Sequence, residues 1–130
     1  MSDILVPISP GELIDKITIL QIKSERMSDA AKLANVRVEL EILESTWQAS
    51  PHARIDVSAE WADLKRINEQ LWVIEDDIRD KERDRQFDQR FIELARAVYV
   101  TNDERAAIKR RINTKLGSRI VEEKSYKEYK

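Results

Sequence analysis

Two carboxylates stand three residues apart near the start of the chain. They are Glu12 and Asp15, within the stretch SPGELIDKITILQIKSERM that runs from Ser9 to Met27. On a helix this spacing places both side chains on one side, where carboxylates could hold Mg²⁺ against a phosphate. Three cations on the same side of that helix are candidate phosphate contacts: Lys16, Lys23 and Arg26.

A second charged stretch begins at Glu75. Its sequence, EDDIRDKERDRQFDQR, has twelve charged residues in sixteen. Arg79 and Glu82 follow at helical spacing, next to the apolar side of the same helix. One interpretation is a solvated surface held by neighbouring ion pairs. The other is a polar groove shared with the first helix. Its metal ligands would be Glu12, Asp15, Glu75 and Glu82, with Arg79 as a further phosphate contact.

Basic residues gather near the C-terminal end of the chain. They could bind an anion or balance acidic neighbours, and the pattern leaves both interpretations open. The lone His52 has no second histidine and no cysteine to complete a metal site. No glycine-rich phosphate loop is present. The six members of this basic cluster are Arg105, Lys109, Arg110, Arg111, Lys115 and Arg119.

The composition predicts an all-α fold. Two glycines and three prolines in 130 residues supply too few turn residues for an all-β domain. We expect an antiparallel bundle of about five helices, preceded by a short extended N-terminal arm with the sequence DILVPI. Residues 1–121 would form a single helical domain, and residues 122–130 a polar C-terminal tail.

Caps and apolar spacing predict the first three helices. Ser9 followed by Glu12 forms a capping box for the first helix. The second begins after Ser28 or Asp29. The third is long and runs from near Ser58 to Asp84.

After Asp84 the apolar residues no longer fall on the side of the helix that they occupy before it. Phe87, Phe91 and Leu94 would emerge nearly opposite the apolar side of the third helix, so we expect that helix to bend or break between Asp84 and Asp88. A fourth helix would run to about Val100. A capping box from Thr101 to Glu104 would open the fifth, and Gly117 would end it.

Charge and hydropathy limit the classes of partner. The 23 basic and 25 acidic residues give a net charge of −2, so we expect no nucleic-acid partner. No run approaches the roughly 20 apolar residues needed to cross a bilayer, and no basic leader precedes an apolar stretch. We therefore expect no membrane insertion and a cytoplasmic location. The absence of cysteine excludes disulfides.

Three segments carry a family resemblance: VPISPGELIDKITILQIK, LWVIEDDIRDKERDRQFDQRFIELARAVYVTNDERAAIKRRIN and LGSRIVEEKSY. Together they resemble a family of short bacterial proteins of uncharacterised function, often encoded among genes for lipopolysaccharide and surface-polysaccharide synthesis. The resemblance implies a setting in glycan assembly and no catalytic residues.

Two narrower resemblances suggest chemistry. The E-x-x-D pair of the first helix is similar to the acidic Mg²⁺ sites of all-α nucleotide pyrophosphohydrolases. The segment LIDKITILQIKSERM is similar to the first helix of helical chorismate mutases, with Arg26 at the place of an anion-binding arginine.

The leading hypothesis is a cytoplasmic helical binding or adaptor protein in lipopolysaccharide or surface-polysaccharide synthesis, with a protein partner and no cofactor. It would bind through the mixed charged and apolar surface of the first and third helices. We expect a homodimer, because the long third helix has more apolar surface than one small core covers. The alternative is a Mg²⁺-dependent enzyme acting on a nucleotide, a nucleotide-sugar or another phosphorylated substrate.

Overall fold

The first helix begins where its capping residues predict. In the computed structural model, which describes residues 2–130, the backbone N–H of Glu12 donates to Ser9 Oγ at 3.1 Å, and Pro10 is the first helical residue. The whole described range is helix, turn and irregular chain, with no strand. Its elements are α1 (Pro10–Arg26), α2 (Ala30–Ala49), a short 3₁₀ helix (Pro51–Arg54), α3 (Ser58–Arg83) and α4 (Gln89–Lys115).

The predicted break after the third helix is confirmed. Helix α3 ends at Arg83, and the connection turns through Arg85, whose φ of 51° lies in the left-handed region. Ion pairs at both ends show that α3 and α4 form an antiparallel hairpin. Lys81 contacts Asp88 beside the turn, and Glu60 contacts Lys115 at the open end.

The prediction of about five helices is wrong, because α4 continues through the expected capping box. Thr101 is buried inside α4 instead of starting a new helix. Leu94, Thr101 and Ile108 are seven residues apart and all buried, so they occupy one side of a single helix. The described chain therefore has four α-helices and one 3₁₀ helix.

Helix α1 crosses the hairpin instead of running beside it. Asp15 contacts Asn68 of α3, whereas Arg26, about 16 Å further along α1, contacts the adjacent Glu69. The first turn of α1 lies on α4. The core forms where these helices meet, and its most deeply buried side chains are Ile14, Ile17, Leu64, Ile67 and Ile112.

Helix α2 has only one buried side. It packs against α1 and the 3₁₀ helix through Val36 and Trp47, the two residues that it buries. Trp47 meets Trp61 of α3 edge to face, with ring centroids 5.6 Å apart. The opposite side of α2 exposes Val38 and Ile42.

The chain segments outside the helices behave differently at the two ends. Residues 2–8 before α1 belong to no helix or strand and are exposed. After α4, Gly117 adopts a φ of +65°, which ends the helix as the sequence predicts. The following residues return along α4, where the Tyr129 hydroxyl donates to Asp103 at 2.6 Å. None of the four described α-helices is long and apolar enough to span a bilayer.

Candidate functional site

Lys109 of α4 is the centre of a charge cluster at the start of α1. Its ammonium Nζ lies 2.5 Å from Glu12 Oε2, 3.7 Å from Asp15 Oδ2 and 3.5 Å from Glu122 Oε2. The Lys109 side chain is only 14% exposed. Ser9 Oγ donates to the second oxygen of Glu122 at 2.7 Å, which ties the C-terminal segment to the N-cap of α1.

These contacts stabilise the charged forms of the pair. Burial alone would raise the pKa of Glu12, but the hydrogen bond and charge of Lys109, aided by Lys16, hold that pKa below its ordinary value. Burial alone would lower the pKa of Lys109. The hydrogen bond to Glu12 and the charges of Asp15, Glu12 and Glu122 reverse this effect and raise it.

A hydrogen-bond network extends from this cluster into the core. The Asn68 amide Nδ2 donates to Asp15 Oδ1 at 2.8 Å and to Thr18 Oγ1 at 3.0 Å. Asp15, Thr18 and Asn68 are all buried. Their partners satisfy groups whose burial would otherwise be costly. The network therefore fixes how α1 crosses α3.

Gly11 allows the close approach of α1 to α4. Its backbone N–H donates to Asn113 Oδ1 at 2.7 Å. A Cβ at this position would lie 2.7 Å from the backbone oxygen of Lys109 and 2.8 Å from Asn113 Oδ1. Glycine is required here by space, since only a residue without a side chain lets the ammonium of Lys109 reach both acids of α1.

The cluster is better suited to holding charges than to transferring protons. A protonated lysine with a raised pKa is a poor base, and a carboxylate with a lowered pKa is a poor acid near neutral pH. Lys109 also occupies the space between the three carboxylates. The arrangement therefore serves to join α1, α4 and the C-terminal segment.

The structure brings together only part of the predicted site. Glu12 and Asp15 face inward, as expected, but their cation is Lys109. Glu75 instead pairs with Arg79 on an exposed side of α3, with 3.2 Å between Glu75 Oε2 and Arg79 Nε.

The remaining predicted residues are spread over the surface. Glu82 is exposed and lies fourteen residues, about 21 Å, along α3 from Asn68. Lys16 is half exposed beside Glu12, at 3.6 Å. Arg26 lies at the other end of α1, 3.8 Å from Glu69, and Lys23 one turn before it is partly buried.

The four carboxylates of the Mg²⁺ hypothesis do not form one group. Within residues 2–130, no three side chains of the types that ligate metals are placed to share an ion. Glu12 and Asp15 are held at Lys109, and Glu75 and Glu82 lie further along α3.

The basic cluster near the C-terminus divides into separate contacts. Arg111 and Lys115 reach across to acids of α3, at 3.1 and 2.8 Å. Arg105 and Arg110 line a cleft of about 170 Å³ between α4 and the C-terminal segment, and Arg119 is exposed. Acidic side chains share the cleft lining, so it is not uniformly basic.

Sequence reasoning missed the partners of Asp15. The charge pattern groups Lys109 with the other basic residues of α4 and gives no reason to single out the uncharged Asn68. Both face the core side of their helices, next to Ile108 and Ile67. A polar residue adjacent to buried isoleucines on the apolar side of a helix was the available signal.

The geometry defines a small all-helical protein with an internal charge cluster and extensive mixed surfaces. The chain belongs to the family of unknown function DUF6165, whose model matches residues 4–129. Neither comparison, with curated proteins or with solved structures, gives a significant match.

Proposed function

We propose that this is a helical binding protein that acts as an adaptor in the synthesis of a bacterial surface polysaccharide. The observation that carries the binding proposal is a shallow groove where the end of α1 meets α3. The resemblance noted from sequence is the support for the polysaccharide setting and for a cytoplasmic location.

The groove combines charged and apolar groups, as a protein-binding surface does. Val73 is 45% exposed at its floor, beside the partly buried Ile74. Arg26, Arg66 and Glu69 surround these residues. Arginine is one of the residue types enriched among those that contribute most to protein–protein binding.

The charge cluster favours this proposal over the Mg²⁺-dependent enzyme. The acids of α1 already contact Lys109, whose ammonium would have to move away before a metal could use both carboxylates. The groove residues, by contrast, lie at the surface, where a partner could contact them without any change in the core.

The proposed homodimer is supported by the far part of the α3–α4 hairpin. Phe87, Ile92 and Tyr99 are 54%, 48% and 43% exposed there. A patch of this kind suits an interface between two copies. Light scattering after size-exclusion chromatography measures the mass directly, and an Ile92→Asp variant should lower it if this patch is the interface.

Complementation tests the adaptor function. A strain lacking the gene should show altered surface polysaccharide on gels, and the wild-type gene should restore it. The variant Val73→Asp should fail to restore it while keeping the wild-type melting temperature, because the side chain is already half exposed. Val121→Asp, at an exposed position outside the groove, is the matched control. Restoration by Val73→Asp would remove the groove from the proposal, and an unaltered deletion strain would remove the polysaccharide setting.

A further inference from the structure

Asn113 of α4 has hydrogen-bond donors that no group of the protein uses. The residue is only 8% exposed, and its Oδ1 accepts the backbone N–H of Gly11 at 2.7 Å. This bond assigns the two ends of the amide and leaves Nδ2 with two N–H donors and no acceptor within residues 2–130. Among the side-chain polar atoms shielded from solvent in that range, only Glu60 Oε2 lacks a partner, so Asn113 Nδ2 is open to the cleft that Asn113 lines between α4 and the C-terminal segment. Nearly all buried polar groups have partners, so these donors are available to a ligand in the cleft.

Two adjacent rows of α4 form one wall of this cleft. Residues four apart lie above one another on a helix, so Arg105, Lys109 and Asn113 form one row. Ala106 and Arg110 belong to the neighbouring row. Helical geometry therefore places the guanidinium groups of Arg105 and Arg110 on either side of Ala106, whose small side chain leaves space between them. The C-terminal segment forms the opposite wall.

The six charged residues of the lining divide into those that have charged partners and those that have none. Lys109 and Glu122 contact each other at 3.5 Å, and Lys124 contacts Asp103 at the same distance. The other three make no ion pair within residues 2–130, and two of them are guanidinium groups. These three are Arg105, Arg110 and Glu123.

The unused groups favour an anion over a cation. A cation in the cleft would find one carboxylate without a partner, that of the exposed Glu123, and would have to approach two guanidinium groups. No three metal-ligating side chains of residues 2–130 are placed to share an ion. An anion would instead find Arg105, Arg110 and the amide of Asn113. Donors on several sides suit a tetrahedral phosphate, which presents oxygens in several directions, and arginine binds phosphate through paired N–H groups.

We propose that this cleft binds the terminal phosphate group of a small molecule. Arg105 and Arg110 would contact the phosphate oxygens, and the amide of Asn113 would donate to a further oxygen of the ligand. The cleft has a volume of about 170 Å³, below the roughly 300–1,000 Å³ of pockets that enclose a whole small molecule. It therefore holds one end of the ligand, and the rest lies outside. The inference concerns α4 and the C-terminal segment, so it does not depend on the groove between α1 and α3.

An NMR titration of the full chain tests the inference. The probes are inorganic phosphate and a hexose 1-phosphate, added at constant ionic strength. The side-chain amide signals of Asn113 should shift and saturate with both probes, because a ligand oxygen would accept from Nδ2. The hexose 1-phosphate should bind at least as tightly as inorganic phosphate, since its sugar lies outside the cleft.

Variants of the full chain then locate the binding. Arg105→Gln with Arg110→Gln should weaken binding of both probes at least tenfold, because the two charged donors are lost. Arg90→Gln with Arg111→Gln is the matched control. It removes the same charge from exposed positions of α4 that do not line the cleft, and it should change the affinity less than twofold. Thermal melting checks that both double variants keep the fold.

Four results would overturn the inference. One is the absence of a saturable shift at Asn113 with either probe. Another is equal weakening in the two double variants, which would show that the phosphate only responds to the overall charge of the chain. The third is tighter binding of a dicarboxylate than of either phosphate probe, since the cleft would then select carboxylates. The fourth is binding of a phosphoserine peptide more tightly than of the hexose 1-phosphate, because the ligand would then be a phosphorylated protein.

Discussion

Replacing Lys109 with methionine would show how much the charge cluster contributes to folding. Methionine keeps most of the length and apolar volume of the lysine stem, so the main change is the loss of the ammonium group. Glu12 would lose its contact at 2.5 Å, and Asp15 its contact at 3.7 Å. Asp15 would keep only the amide of Asn68 as a donor.

The size of the effect follows from burial. Removing one partner of a buried ion pair costs about 3–5 kcal/mol. The Lys109 and Glu12 side chains are 14% and 25% exposed, so the lower end of that range applies. A loss of about 3 kcal/mol in the free energy of unfolding should lower the melting temperature by roughly 10 °C in a chain of this size.

The pH dependence has a definite sign. The pKa of Glu12 is lowered from 4.5, so its contribution to stability is present above pH 4.5 and is lost as the pH falls through its folded value. The pKa of Lys109 is raised from 10.5, so its contribution is present below pH 10.5 and is lost as the pH rises through its folded value. The loss of unfolding free energy in Lys109→Met, relative to the wild type, should therefore be largest between pH 4.5 and pH 10.5 and should become smaller below pH 4.5.

Urea unfolding followed by circular dichroism measures these differences in stability. A double-mutant cycle with Glu12→Gln then gives the interaction free energy between Lys109 and Glu12. The double variant should be more stable than the sum of the two single losses predicts. Lys16→Met is the control, because Lys16 is half exposed, and it should cost less than about 1 kcal/mol. A Lys109→Met variant as stable as the control, or strictly additive losses in the cycle, would refute the reasoning.

Three further substitutions follow from the same structure. Gly11→Ala should lower the free energy of unfolding by about 2 kcal/mol or more in urea. The new Cβ would clash with the α4 backbone at 2.7 Å, and this cost outweighs the roughly 1 kcal/mol that alanine normally adds to a helix. A more stable variant would contradict the close packing of α1 on α4. Asn68→Ala should lower the free energy of unfolding by about 2–3 kcal/mol in the same assay, because it leaves Asp15 without its amide donor. An unchanged midpoint of urea unfolding would show that water replaces the amide. The hydrogen bond to Asp103 raises the pKa of Tyr129 to about 12. An absorbance titration should therefore show one of the three tyrosines ionising at higher pH than the others, and Tyr129→Phe should remove that component.

The parts of the fold that the sequence predicts are those with local causes. Ser9 and Glu12 are close enough in the chain for the cap of α1 to be recognised, and the shift of apolar phase after Asp84 predicts the hairpin turn. The predicted split at Thr101 is wrong, because the seven-residue spacing of buried side chains continues through the local capping pattern and holds α4 as one helix.

The candidate site likewise has a part that local sequence predicts and a part that depends on contacts between distant residues. The mixture of isoleucines and charges in α1 indicates that some acids face inward, and Asp15 is only 4% exposed. The choice of partner depends on contacts across 97 residues of chain, as for Lys109 and Glu12. The sequence pattern places Arg79 in the groove with α1 and Lys109 in a separate basic cluster, and only the crossing of α1 over the hairpin brings Lys109 to the acids of α1.

The uneven burial of the α3–α4 hairpin has a consequence for how the molecule opens. From residue 72 to residue 100, Leu94 is the one buried residue, whereas the other half of the hairpin packs under α1. The turn end can therefore separate and reclose as a small cooperative unit while the region around Ile14 and Ile112 stays folded. Amide protons near Phe91 should exchange with solvent deuterium faster than those near Ile67. The hairpin thus combines a rigid base with an end that can adjust its shape.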